Sequence, residues 1–368
     1  MQRIPFFNYP YLFKSKENDF LKIFKDVGYR GAFILQKDLL EFEENLAKFA
    51  GTKYAIGLAN GTDAIWLALM AAGLEKGDEV IIASHTYIAT AGAVHFAGGV
   101  PVPADCGTDH MIDPESVRKL ITPKTKAILP TQVNGRCCNM DALLAIAKEN
   151  DLFILEDAAQ GLGAKYKGQG VGSFDIGGTI SFYPAKNLGS FGDAGGFVTN
   201  NERIYNKIML LRDHGRNDDG IFEMWGFNSR LDNLQAAFLN FKIGYYHEEI
   251  VKRRKIAQMY QENLGHIKEL HLPPAPNEDS DYFDVYQNYE IEAEKRDALK
   301  KYLSDNGIGT LIQWNGQPVH SIKSLGFSGE GLPYTEQMFK KCLMIPMNTS
   351  LTNKEVKYVC DVIIKFYK

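Results

Sequence analysis

No apolar run in the 368-residue chain approaches the ~18 residues a membrane span requires. The opening stretch, MQRIPFFNYPYLFKSKEND, has no cationic start followed by a long apolar core, so a secretion signal is not expected. Cysteine is scarce: Cys106, Cys137, Cys138, Cys342 and Cys360 make an odd set without a CxxC pair. Such a set excludes a disulfide framework and points to buried, reduced thiols and a soluble cytoplasmic protein. Clusters of Lys and Arg are missing too, and the net charge of -4 with a pI near 6.1 speaks against a nucleic-acid binder. An anionic small substrate is still allowed, because a few arginines suffice for a local pocket. Neither an internal repeat nor a low-complexity tract breaks the chain.

What is present is a rhythm. Tyr54–Leu58, Asp78–Ala83, Val100–Ala104, Ala127–Gln132 and Leu152–Leu155 read as short apolar strands. Helical spacing separates them, in AIWLALMAAGL, over Tyr87–Phe96, over Pro114–Ile121 and over Met140–Asn150. Strands alternating with helices of this length imply βαβ units, a mainly parallel sheet and helices on both faces. Ligands of such sheets bind beyond the carboxyl ends of the strands. Residues 1–245 are expected to form this large domain. Residues 246–368 are expected to form a smaller α+β domain: a charged helix over His247–Leu264, a prolyl stretch, strands in YQNYEIE and TLIQW, and terminal helices.

Chemistry-bearing residues follow the strands. Thr179–Tyr183 reads as a strand that Pro184 ends, because proline has no N–H to donate to a ladder. Lys186 then leaves the turn among Gly189, Gly192, Gly195 and Gly196. A lysine held there loses solvation, and its lowered pKa suits an imine-forming amine. Glu156 and Asp157 end the strand LFIL; neighbours on a strand point to opposite faces, so only one can face a given cleft. The next residues offer no further His or carboxylate for a metal site, and a protonated ring nitrogen would be a fitting partner for the cleft-facing acid. Asn60-Gly61-Thr62-Asp63 opens a helix, as a plain N-cap or as a phosphate cup. Tyr87, like His85 nearby, is either a stacking ring for a flat ligand or a core aromatic.

Together GAFILQKDLLEFE, NGTDAI, SHTYIATA, EDAAQGLGA, SFYPAKNLGSFGDAGG, GFNSRLDNLQAA and GIGTLIQW resemble the DegT–DnrJ–StrS family of pyridoxal-phosphate-dependent nucleotide-sugar aminotransferases. EDAAQ followed some thirty residues later by SFYPAKNLG is the specific part. The resemblance implies an α/β fold of the aspartate-aminotransferase type, with a mostly parallel seven-stranded sheet, and a homodimer whose active sites are shared. It implies pyridoxal 5'-phosphate bonded to Lys186, Asp157 on its ring nitrogen and Gln160 by its ring hydroxyl. Gly61, Thr62 and Ser181 would hold its phosphate, and Tyr87 its face. Asn228 would reach the neighbouring subunit's phosphate, although by itself it reads as a helix N-cap. Tyr183, Arg230 and His320 would meet the substrate; Arg230 serves the nucleotide or is structural. Lys186 separates the chain from the dehydratase branch, which has histidine there. FYPAKNLG, NSRLD and GIGT look closer to members acting on dTDP-linked 3-keto-6-deoxyhexoses than to 4-keto members, with L-glutamate as donor. Gln132–Cys138 and Gln313–His320 depart from the family's commoner patterns, and Arg136 in the first is either a phosphate contact or solvated. A regulatory, non-catalytic protein on the same scaffold is the competing reading from another class.

Overall fold

Eight short strands build the sheet on which the site stands. The computed structural model describes residues 3–327, 329 and 331–368. Val100–Ala104, Glu79–Ala83, Thr125–Leu129 and Phe153–Ile154 lie in that order, all parallel. Glu156–Asp157, Gly178–Ser181, Gly195–Thr199 and Tyr54–Leu58 continue the layer, and only Gly195–Thr199 runs against its neighbours. In place of one unbroken seven-stranded ladder there are two four-stranded sheets that meet along 153–157. Pro130 explains the seam: it accepts from the Asp157 N–H at 2.9 Å but has none to return. On the other side Glu156 N–H goes to Gly177 O at 3.0 Å and Ala158 N–H to Thr179 O at 2.9 Å, so the line 153–157 is bonded on both flanks.

Side-chain alternation on these strands supplies two cores. Ile81, Ile128, Ile154, Ile180 and Val198 face a core shared with the helix Lys37–Ala50. Their neighbours Val80, Ile82, Leu129, Leu155 and Phe197 face a second, packed on the helix Gly61–Ala72. Period-two alternation with both faces apolar is what a sheet covered on both sides demands. A third core joins the helices Tyr246–Leu264, Arg296–Asp305 and Asn353–Tyr367 to an antiparallel sheet of Leu270–His271, Tyr289–Ala293 and Cys342–Ile345. Ile4 is buried in that third core, and its backbone bonds Gly307 O and Gly309 N–H at 2.9 and 2.8 Å. The cores interleave across residue 245: Tyr246, Ile250 and Val285 are buried in the first and Val319 in the second, while Ile4 from the start of the chain sits in the third.

TLIQW is not a strand. Only Leu311 bridges, to Met344, and Gln313–Gly316 is a 3-10 turn with Trp314 and Asn315 left-handed at φ 47° and 56°. The Trp314 ring sits edge-on to His85, 4.8 Å between centroids, and this packing turns the chain away from the sheet. The helices Tyr9–Lys14 and Glu17–Arg30 are not expected from the sequence; the first buries no side chain and the second only Phe20 and Val27. All five cysteines are buried and unpaired. No helix among the described residues is long and apolar enough to cross a membrane.

Candidate active site

A cavity of about 600 Å³ opens at the carboxyl ends of the strands, and Asp157 and Lys186 share its wall. Lys186 stands where its sequence predicts, past Pro184 and outside the strand Gly178–Ser181. The cavity walls strip water from its amine and bring it down from the usual lysine range to about 8, against the opposing pull of Asp157. Burial lifts the Asp157 carboxyl above its ordinary range; the Thr90 hydroxyl at 2.7 Å, the Ala159 N–H at 3.2 Å and the charge of Lys186 counter it. Thr131 donates to Thr86 at 2.9 Å and Thr86 pairs with Thr90 at 2.6 Å, so a file of hydroxyls backs that carboxylate. Glu156 turns the other way, out of the cavity.

One end of the cavity is an anion cradle. The helix Gly61–Ala72 begins there, with Asn60 capping the Asp63 N–H at 2.8 Å. The Gly61 and Thr62 N–H groups have no partner among the described residues, and the Thr62 and Ser181 hydroxyls join them on the wall. The N-cap is present, and it leaves the two N–H groups free for an anion. Gly195 permits the close approach: a Cβ there would stand 2.2 Å from the Asn60 carbonyl carbon. An imine-forming amine, a carboxylate opposite it and a cradle for a phosphate fit pyridoxal phosphate.

Gln160 lines the same cavity, its Oε1 accepting from the Asn134 N–H at 2.7 Å, which leaves its NH₂ group toward the cavity side. Tyr87 and Tyr183 are on the wall too, each more than half exposed. His85 is not: it is buried beneath Trp314 and faces Glu290 at 3.4 Å. Arg230 and His320 also lie outside the lining. The Arg230 guanidinium pairs with Asp213 at 2.9 Å. His320 is buried, with Nδ1 2.6 Å from the Ser84 hydroxyl. Arg136 is held by Asp284 at 2.6 Å and stacks over Tyr282, so neither a phosphate contact nor free solvation describes it.

Asn228 is exposed and does not line the cavity. It is no N-cap either, because the next helix begins at Asn233 after Asp232. Ser229 beside it donates to Asp63 at 2.7 Å, tying this segment to the cradle helix. On the same segment Trp225 is 95% exposed and Phe222 70%.

Phe7, Thr90, Gln287 and Asn288 line the cavity without having been singled out from the sequence. Thr90 had a signal, a hydroxyl four residues after Thr86 on a helix following a strand. Gln287 and Asn288 had none, since their approach depends on the packing of the third core.

Comparison with known proteins agrees with this geometry. The model of the DegT/DnrJ/EryC1/StrS aminotransferase family matches residues 14–364. The pleiotropic regulatory protein of Geobacillus stearothermophilus is 36% identical over 374 residues, 99% of this chain and 99% of its own. The dTDP-3-amino-3,4,6-trideoxy-alpha-D-glucose transaminase of Streptomyces venezuelae is 36% identical over 340 residues, 90% of this chain and 88% of its own. The crystal structure of S. venezuelae DesV in complex with a ketimine intermediate superposes with a TM-score of 0.96 at 34% identity, covering 100% of this chain and 99% of that one.

Proposed function

The chain belongs to the DegT/DnrJ/EryC1/StrS aminotransferase family, and on that premise we propose that it aminates a nucleotide-linked keto sugar with pyridoxal phosphate as cofactor. The substrate is a dTDP-linked 3-keto-6-deoxyhexose, the amino donor L-glutamate, and the product serves amino-sugar and glycan synthesis. The observation that carries this reading is that Lys186 and Asp157 line one cavity together with Gly61, Thr62 and Ser181. The transaminase relative supports the 3-amino outcome.

Bound pyridoxal phosphate would supply an electrophilic carbon and a ring able to take up the electron pair left at the donor's α-carbon. The remaining work falls to side chains. Lys186 would hold the cofactor covalently; its free amine, near 8, is roughly a tenth neutral at pH 7, the form able to attack a carbonyl carbon. Its Nζ takes the proton from the donor's α-carbon, and in the second half of the cycle delivers one to the sugar carbon that gains nitrogen. Asp157 keeps the ring nitrogen protonated. Gly61, Thr62 and Ser181 would hold the phosphate, and Tyr87 would cover the ring. Tyr183 would meet the sugar nucleotide, with Trp314 and Asn288 also lining the cavity.

The working unit is a homodimer. Asn228 stands outside its own cavity on a segment that exposes Trp225 and Phe222, so a second copy would cover those rings and receive Asn228 at its phosphate cradle. Sedimentation equilibrium tests this; a monomer at working concentration refutes it.

A regulatory reading is favoured by one observation, the relative named as a pleiotropic regulatory protein. Glutamate separates the two. A transaminase is yellow when purified and bleaches with glutamate, and it then converts one member of a panel of dTDP-, UDP- and GDP-linked 3-keto and 4-keto sugars. A protein that binds the cofactor but neither bleaches nor converts any sugar is not this enzyme.

A further inference from the structure

The turn that carries Lys186 is held by a side chain from a hundred residues further along the chain. Gln287 is buried, and its Nε2 donates to the Ala185 carbonyl at 2.9 Å while its Oε1 accepts from the Asn187 N–H at 2.8 Å. Pro184 has ended the strand ladder just before, so this one amide makes, on both sides of Lys186, the bonds a neighbouring strand would have made. The Lys186 N–H is fixed as well, on Tyr183 O at 2.8 Å. Gln287 is braced in turn: Arg253 donates to its backbone carbonyl at 3.2 Å and to Met347 O at 2.9 Å. Next to it, Asn288 donates to Asn134 Oδ1 at 3.0 Å, and Asn134 holds Gln160. A dipeptide of the C-terminal segment thus supports two groups that face the cavity.

We propose that Gln287 is a positioning residue for Lys186, fixing the peptide groups on either side so that the amine enters the cavity from one direction. The proposal rests on the reading of Lys186 as the cofactor's attachment point. Neither half of the amide is dispensable. A methionine of similar length makes neither bond. A carboxylate accepts from Asn187 but sets its negative oxygen against the Ala185 carbonyl.

The test compares wild-type holoenzyme with Gln287→Met and Gln287→Glu. Borohydride should fix the cofactor to Lys186 in all three. Gln287→Met should lower kcat tenfold or more, with the KM for the sugar nucleotide within threefold, as expected for a displaced reacting group. It should also move the pH at which the visible absorbance of the bound cofactor changes. Gln287→Glu should regain activity relative to wild type as the pH falls, because the protonated carboxyl again donates to Ala185 O. Unchanged kcat and absorbance titration in Gln287→Met would overturn the proposal. Should that variant not fold, the absence of acidic recovery in Gln287→Glu would overturn it equally. A wild-type protein that borohydride leaves unlabelled defeats the reading of Lys186 itself, a distinct result.

Discussion

Glu156 and Asp157 are adjacent carboxylates on one strand, yet they belong to different regions of the molecule. On the sealed side, Glu156 Oε1 accepts from the Gly172 and Phe174 N–H groups, both at 2.9 Å, and Oε2 from Gln132 Nε2 at 2.6 Å. Burial pushes that carboxyl up to about 7, with these donors pulling it back. On the cavity side, Asp157 has a hydroxyl, one N–H and open space next to an amine. The two acids are the same signal in the sequence. Their difference lies in the donors that fold around them: an acid enclosed by three protein donors organises a loop, while one left facing a cavity can hold a ligand.

Lys186→Ala strikes the cavity side hardest. Turnover should fall by roughly 10²–10⁴-fold or more, since the variant loses attachment and proton transfer together. Measured rates near wild type with glutamate and sugar nucleotide would end the assignment. Asp157→Asn comes next, expected to lower kcat by roughly 10²-fold while thermal unfolding barely moves. Glu156→Ala should do the reverse. Two backbone N–H groups and the Gln132 amide lose their acceptor, so denaturant unfolding should report a loss of about 2–4 kcal/mol. The rate per folded molecule should stay within about threefold. A Glu156→Ala protein that is fully folded but inactive would erase the distinction between the two sides.

How far the sequence carries depends on where each feature gets its definition. Tyr54–Leu58 has the bounds its apolar run indicates, because burial on both faces leaves no other reading of such a run. Val100–Ala104 keeps its bounds as well, although it is an edge strand whose first residue is exposed. Lys186, Asp157 and the Gly61 cradle follow strands in local motifs, so their convergence on one cavity could be anticipated from topology alone. Residues from the last third escape this logic. TLIQW looked β-forming, but its fate was decided by Trp314 packing against His85 and Phe339. Arg230 and His320 sit in motifs that suggested a substrate, whereas Asp213 and Ser84 hold them outside the cavity. Long-range partners of that kind leave no periodic trace in the chain.

The two sides should differ even in the sign of their effect on stability, and this is the smallest effect to measure. In the cofactor-free protein the Lys186 amine titrates near 8, against an ordinary value of 10.5. Between those limits the unfolded chain binds more protons than the folded one, so stability rises with pH from about 8 to 10.5; below 8 the full desolvation cost stands. Because Lys186 is only partly buried along the cavity wall, that cost is discounted to about 1–3 kcal/mol at pH 7. Lys186→Met keeps the length of the chain and removes the charge. Its apoprotein should be more stable than wild type at pH 7 by that amount, and the gain should fade toward pH 10.5. Glu156→Ala at pH 7 moves the other way. A Lys186→Met apoprotein less stable than wild type at pH 7 would mean that the cavity does not desolvate the amine, and the contrast between an acid placed for the fold and a base placed for chemistry would lose half its support.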